Sequence, residues 1–189
     1  MYDVADLRKG LKVDIDGAPW TVTEFEFCKP GKGQALYKCK LKNLITGATM
    51  DRTYRSSDKG IEKADLEERE MYYSYKEGDL YVFSDAETYE ELRVSAGTLG
   101  KQKYFLLEDS LCKILLFNGK PVEVTLPLFI EKKVTETEPG ARGDTATNVM
   151  KSAKIDNGYE FAVPLFINQG DIIKIDTRTG EYVERVSKA

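Results

Sequence analysis

The chain contains no histidine and only three cysteines in 189 residues. It also has no apolar run near the ~18 residues that would cross a bilayer as a helix. Without imidazole it lacks the usual general base near neutral pH, the histidine-based triads and the commonest nitrogen ligand for metals. Cys28, Cys39 and Cys112 are odd in number and irregularly spaced, with no Cys-x-x-Cys pair, a pattern of reduced buried thiols rather than of disulfides or zinc. The start, Met1-Tyr2-Asp3-Val4, has no basic segment and no apolar stretch of the secretory type, so a cytoplasmic location is expected. Asp and Glu number 32, but they are scattered beside lysines on alternating segments, as on solvated faces. No catalytic residue, metal, cofactor or membrane partner is therefore expected.

Helical periodicity is nearly absent as well. Short runs rich in Val, Ile, Tyr, Phe and Thr alternate with turn signals, which predicts an all-β protein of small barrels. Three segments are expected, 1–63, 64–127 and 128–189. The first has strands at 11–15, 20–27, 35–42 and 49–54 and reads as an SH3-like barrel. The second has strands at 71–75 and 80–83, a short helix near 100–107, and a hairpin of 111–117 and 120–126 turning on Asn118-Gly119, a pair suited to a type I′ turn. Pro127, which cannot donate to a ladder, marks a seam. The third has strands at 129–137, 159–167, 171–176 and 182–186, with a polar loop after the first. Five strands and one short helix in about 60 residues suit an OB-type barrel for each of the last two segments. No sequence motif repeats between them.

Net charge is −4, which by itself disfavours phosphate binding. Its distribution does not. From Cys28 to Met50 there is no acid, while Lys29, Lys32, Lys38, Lys40 and Lys42 supply five positive charges, so the rest of the chain is more acidic than the total. In Ala35–Lys42 a period of two puts Ala35, Tyr37, Cys39 and Leu41 on one face and Lys38, Lys40 and Lys42 on the other. Such a stripe is either a solubilising outer face or, continuous with the adjoining loop, a nucleic-acid surface.

That loop is Lys29-Pro30-Gly31-Lys32-Gly33-Gln34. Pro30 fixes φ, while Gly31 and Gly33 allow positive φ and leave Lys32 without neighbouring side chains. A lysine standing free on a hairpin offers three donors to phosphate or ribose oxygens. The motif is not a phosphate-binding Walker loop, because Gly33 follows the lysine where Ser or Thr would be needed, and a strand follows where a helix would. Taken alone, such a lysine is also compatible with an ordinary exposed hairpin.

These residues carry a family resemblance. The segment Phe27-Cys28-Lys29-Pro30-Gly31-Lys32-Gly33-Gln34-Ala35 is similar to the tip loop of bacterial elongation factor P, and 138–146 (Glu-Pro-Gly-Ala-Arg-Gly-Asp-Thr-Ala) is similar to a loop of its third domain. Lys151-Ser152-Ala153, Gly158, Val163-Pro164-Leu165-Phe166, Gly170 and the ending Lys174–Val186 match in spacing, so the chain resembles the family over essentially its whole length.

The resemblance implies an L-shaped, tRNA-sized molecule with an SH3-like (KOW-like) domain followed by two OB domains. It implies binding between the ribosomal P and E sites, where the first domain points its lysine at the CCA end of P-site tRNA and synthesis through consecutive prolines resumes. Lys32 is then the site of a lysine-modifying enzyme, β-lysylation being one example. Lys29, Pro30, Gly31, Gly33, Lys38, Lys40 and Lys42 join it in contact with tRNA. Gly143, Asp144 and Thr145 are assigned to the E-site codon, and Tyr182 and Arg185 to tRNA or the small subunit. On the residues alone, Asp144 could equally cap a turn and Tyr182 pack in a core. The molecule is expected to be a monomer and not an enzyme. Three rivals stand beside this reading: a diverged paralogue acting on other stalling sequences, a general single-strand nucleic-acid binder using its OB faces, and an acidic protein-interaction scaffold for which Lys32 would be dispensable.

Overall fold

The computed structural model describes residues 1–139 and 149–189. The chain is all-β, as expected. Strands β1 (Lys12–Ile15), β2 (Ala18–Cys28), β3 (Leu36–Asn43) and β4 (Thr49–Arg55) form an antiparallel meander in sequence order. Its core gathers Val13, Val22, Cys39, Leu41 and Tyr54 with Val4, Leu7, Leu11, Ile15 and Ile61. One irregularity decides which side chains turn inward. Val22 pairs with Leu41 but Glu24 pairs with Lys40, a register shift that inserts one residue into β2. Phe25 and Phe27 thereby share a face with Cys39 and Tyr37, while Glu24 and Glu26 turn outward.

The middle sheet is built from β5 (Glu67–Glu77), β6 (Leu80–Asp85), β7 (Glu91–Ser95), β8 (Leu111–Phe117) and β9 (Lys120–Thr125), in the order β7-β6-β5-β8-β9. Asn118 and Gly119 join β8 to β9 with φ of 50° and 75°, the two positive values a type I′ turn needs. The last sheet is built from β10 (Phe129–Thr137), β11 (Met150–Ile155), β12 (Glu160–Pro164), β13 (Ile172–Asp176) and β14 (Glu181–Ser187), in the order β12-β11-β10-β13-β14. In both sheets the first strand is central, flanked by the second and the fourth. The topology repeats although the sequence does not.

Four expectations need correction. Strand β7 was not foreseen, and β11 lies where a polar loop was expected. The helix begins earlier than predicted: α1 (Ala96–Leu99) runs into a 3-10 turn at Gly100–Phe105, because Ser95 caps it by accepting a hydrogen bond from the Thr98 amide at 3.2 Å. Fourth, among the described residues the last sheet has no helix between β12 and β13. No helix of the described residues is long and apolar enough to cross a membrane.

By compactness the chain divides into two units, Met1–Arg69 with Leu115–Glu123, and Glu70–Ile114 with Val124–Ala189. In the first, Lys12 reaches Glu123 at 3.4 Å. In the second, the 3-10 turn packs on the last sheet: the Tyr159 ring meets Phe105 edge-on at 4.9 Å and lies 5.3 Å from Tyr104. All three cysteines are free; Cys39 and Cys112 are buried, with thiol pKa values pushed up by burial, and Cys28 is half-buried.

Candidate functional site

The last pair of the β2–β3 ladder is Cys28 with Leu36, so 29–35 form the loop beyond it. Within the loop the Gly33 amide donates to Pro30 O at 3.3 Å, closing a turn with Lys32 at its third position. The return limb is tethered: Ser57 Oγ donates to Gln34 Oε1 at 3.0 Å, and the Ser56 amide donates to Ala35 O at 3.1 Å. Gly31 and Gly33 do not use the positive φ that glycine allows. Glycine serves a different purpose at 33, where a Cβ would lie 3.1 Å from Pro30 Cγ. A side chain there would press on the proline that shapes the turn.

Lys29 and Lys32 are both exposed. Neither ammonium has a hydrogen bond or ion pair among the described residues. The tip thus presents two bare cations on a backbone held by hydrogen bonds at its neck, an arrangement suited to an anionic or oxygen-rich partner that comes close.

The lysine stripe of β3 is less free than the sequence suggested. Neighbouring β2 places Glu26 opposite Lys38 and Glu24 opposite Lys40, with ion pairs of 3.6 Å and 3.3 Å. Exposed pairs of this kind contribute only about 0–1 kcal/mol, but each sets an acid beside its lysine. Lys42 pairs in register with Thr21 and Thr49. It stands six residues back from Leu36, about 20 Å along an extended strand. The uncompensated charge is concentrated at Lys29 and Lys32.

Sequence reading missed the underside of the arm. Phe25 and Phe27 are 36% and 51% exposed, with Tyr37 ring centroids 6.3 Å and 5.1 Å away. The register shift in β2 puts them there. The Phe-x-Phe spacing was the available signal, but without the shift it points the wrong way relative to Val22.

Tyr182 and Arg185 sit on β14 opposite Ile175 and Ile173, both fully buried, so they share the core-side face. Burial raises the Tyr182 pKa. The Arg185 guanidinium donates to Phe166 O at 3.2 Å, pairs with Asp171 at 3.5 Å and lies 5.0 Å from the centre of the Phe166 ring. Burial tends to raise the Asp171 pKa. Donation from the Asn168 and Ala189 amides and from Arg185 outweighs this, and the net shift is downward. Arg185 is thus committed inside its own sheet. Lys151, expected only as part of a signature, is buried and donates to Glu138 O at 2.6 Å. Gly143, Asp144 and Thr145 lie outside the described residues. Among the described residues, no group of three His, Cys, Asp or Glu side chains converges as a metal site.

Comparison with known proteins adds an independent line. Residues 3–59 match the family model described as the elongation factor P (EF-P) KOW-like domain, 66–124 that of the EF-P OB domain, and 130–185 that of elongation factor P, C-terminal. The chain is 48% identical over 188 residues to elongation factor P of Desulfotalea psychrophila and 50% identical over 188 residues to that of Desulfosudis oleivorans, each alignment covering 100% of both chains. It is 50% identical to elongation factor P 2 of Geobacter sulfurreducens, over 98% of this chain and 99% of that one. In fold it is similar to eukaryotic translation initiation factor 5A from Methanococcus jannaschii, with a TM-score of 0.53 and 22% identity over 66% of this chain and 90% of that one.

Proposed function

The chain belongs to the elongation factor P family, and from that premise we propose that it binds the ribosome between the P and E sites and steadies P-site peptidyl-tRNA so that peptide bonds form at consecutive prolines. As a family member it is a translation elongation factor. The observation that carries the finer reading is Lys32, exposed and unpaired at the end of a tethered turn.

In this reading three domains, 1–63, 64–127 and 128–189, place the tip beside the CCA end of the tRNA. Lys32 and Lys29 donate to its phosphate or ribose oxygens, and Pro30, Gly31 and Gly33 allow close approach. The factor makes and breaks no bond; it restricts where the reacting ester can sit, and such orientation effects are large. A lysine-modifying enzyme extends Lys32, which lengthens the reach of the arm. Lys38, Lys40 and Lys42 are weaker, long-range contributors, since two of them are already paired. Gly143, Asp144 and Thr145 contact the E-site codon. Tyr182 and Arg185 contact tRNA or the small subunit, with Arg185 held in place by Asp171 and the Phe166 carbonyl. The protein acts as a cytoplasmic monomer.

The test is reconstituted translation of a message with three consecutive prolines and of a matched message without them. Adding the protein purified from its own host should relieve the stall on the first and leave the second unchanged. Equal effects on both messages, or on neither, contradict the proposal.

A further inference from the structure

We propose that a cleft in the second unit, where the 3-10 turn Gly100–Phe105 faces β10 and the turn after β11, is a binding site for the sugar-phosphate backbone of RNA. It goes beyond the tip-lysine reading and does not use Lys32. The cleft has a volume of about 520 Å³ and is open to solvent. Three lysines line it, Lys76, Lys103 and Lys132, against a single acid, Asp156. That balance is the reverse of the whole chain, which is acidic.

The lysines are differently engaged. Lys132 is held by Asp156 at 3.0 Å. Lys76 and Lys103 have no carboxylate within ion-pair distance among the described residues. Each lies instead over a tyrosine ring of the cleft, Lys76 at 5.6 Å from Tyr81 and Lys103 at 5.1 Å from Tyr104. A cation resting on a ring is positioned but not neutralised, and a phosphate oxygen gives it a stronger, charge-assisted partner. Burial, with Tyr81 and Glu108, raises the Tyr73 pKa, and Glu108 itself lies outside the lining.

The walls are fixed before any ligand arrives. Asn157 Nδ2 donates to Tyr104 O, and Tyr159 packs against both Tyr104 and Phe105. Binding therefore need not order the site, which favours affinity. Two features favour a passing polymer over a small molecule or an acidic peptide. The open side leaves a small ligand largely exposed, whereas sites for such ligands enclose most of their surface. Tyr104 is only half-buried, and lysines set among tyrosines combine phosphate contacts with a ring on which a base can stack.

The test uses the full chain and a labelled oligouridylate of about ten nucleotides at low salt. Binding is read by fluorescence anisotropy, and amide shifts in the wild type locate the site. Lys103→Glu and Lys76→Glu should each weaken binding about tenfold or more. Lys101→Glu, an equal charge change outside the lining, should leave it unchanged, with melting curves confirming that each variant folds. The proposal is overturned if all variants bind alike or if the wild-type shifts fall outside the cleft. It is also overturned if inorganic phosphate or oligoglutamate occupies the cleft at lower concentration than the RNA.

Discussion

The Gly33 amide donates to the Pro30 carbonyl at 3.3 Å, and a methyl group added at Gly33 would stand 3.1 Å from the proline ring. The two residues set the direction of Lys32 between them. A Cβ at 33 forces the ring or the turn to shift by a few tenths of an ångström at its base, and the long lysine side chain amplifies the displacement.

Gly33→Ala is therefore expected to leave melting almost unchanged, within the ~0.5 kcal/mol usual for exposed sites. It should slow relief of a polyproline stall by about 10- to 100-fold, as misplacement of a positioning group does. Gly31→Ala separates the two effects: a Cβ there meets nothing within 4 Å in the protein, so any slowing at 31 reports hindered approach of the tRNA and not a shifted turn, and should be the smaller of the two. Stall-relief rates for the two variants, measured side by side, check this.

Much of the fold was legible in local chemistry. Asn118-Gly119 between two apolar runs specified its hairpin, and the alternation in β3 specified which residues face the core. What stayed hidden depends on neighbours distant in sequence. Strand β11 reads Met150-Lys151-Ser152-Ala153-Lys154-Ile155, and Lys151 at an inward position breaks the apolar alternation; only Glu138 O, thirteen residues away, explains why it can be buried there. The lysine stripe looked free because an acid-free run says nothing about Glu24 and Glu26 on the adjoining strand. The tip loop was recognisable as a lysine on a hairpin, but the reason for Gly33 was not, since it lies in the Pro30 ring and not in φ.

Acid should reveal a second pairing. Asp176 accepts from the Arg178 guanidinium and from the Arg178 amide, and these contacts lower its pKa from 3.8 to about 2. A carboxylate with a folded pKa below its unfolded one stabilises the fold above the unfolded value and loses that contribution as pH falls through the folded value. Asp176→Asn should thus have a lower urea midpoint than wild type near neutral pH, and the gap should close between pH 3.8 and about 2. Urea titrations across that window measure it. A gap constant down to pH 2 would mean that the pairing contributes nothing to folding.

In the second unit, Tyr159 touches Tyr104, Phe105 and Phe161 with ring centroids 5.3, 4.9 and 5.8 Å away. Tyr159→Ala should cost about 2–3 kcal/mol, somewhat below a fully buried aromatic truncation. It should also separate the unfolding of the middle and last sheets, visible as a broadened or double transition by calorimetry. Tyr159→Phe keeps the ring and should melt like wild type.

The charge placed at the tip, rather than along the arm, is open to direct comparison. Protein is purified from its own host as wild type, Lys32→Ala and Lys38→Ala, and each is added to reconstituted translation of a message with three consecutive prolines. Lys32→Ala should melt within ~0.5 kcal/mol of wild type yet give no relief of the stall, while Lys38→Ala, which removes only a lysine already paired with Glu26, retains most of it. Full relief by a folded Lys32→Ala protein would contradict the assignment of function to that ammonium.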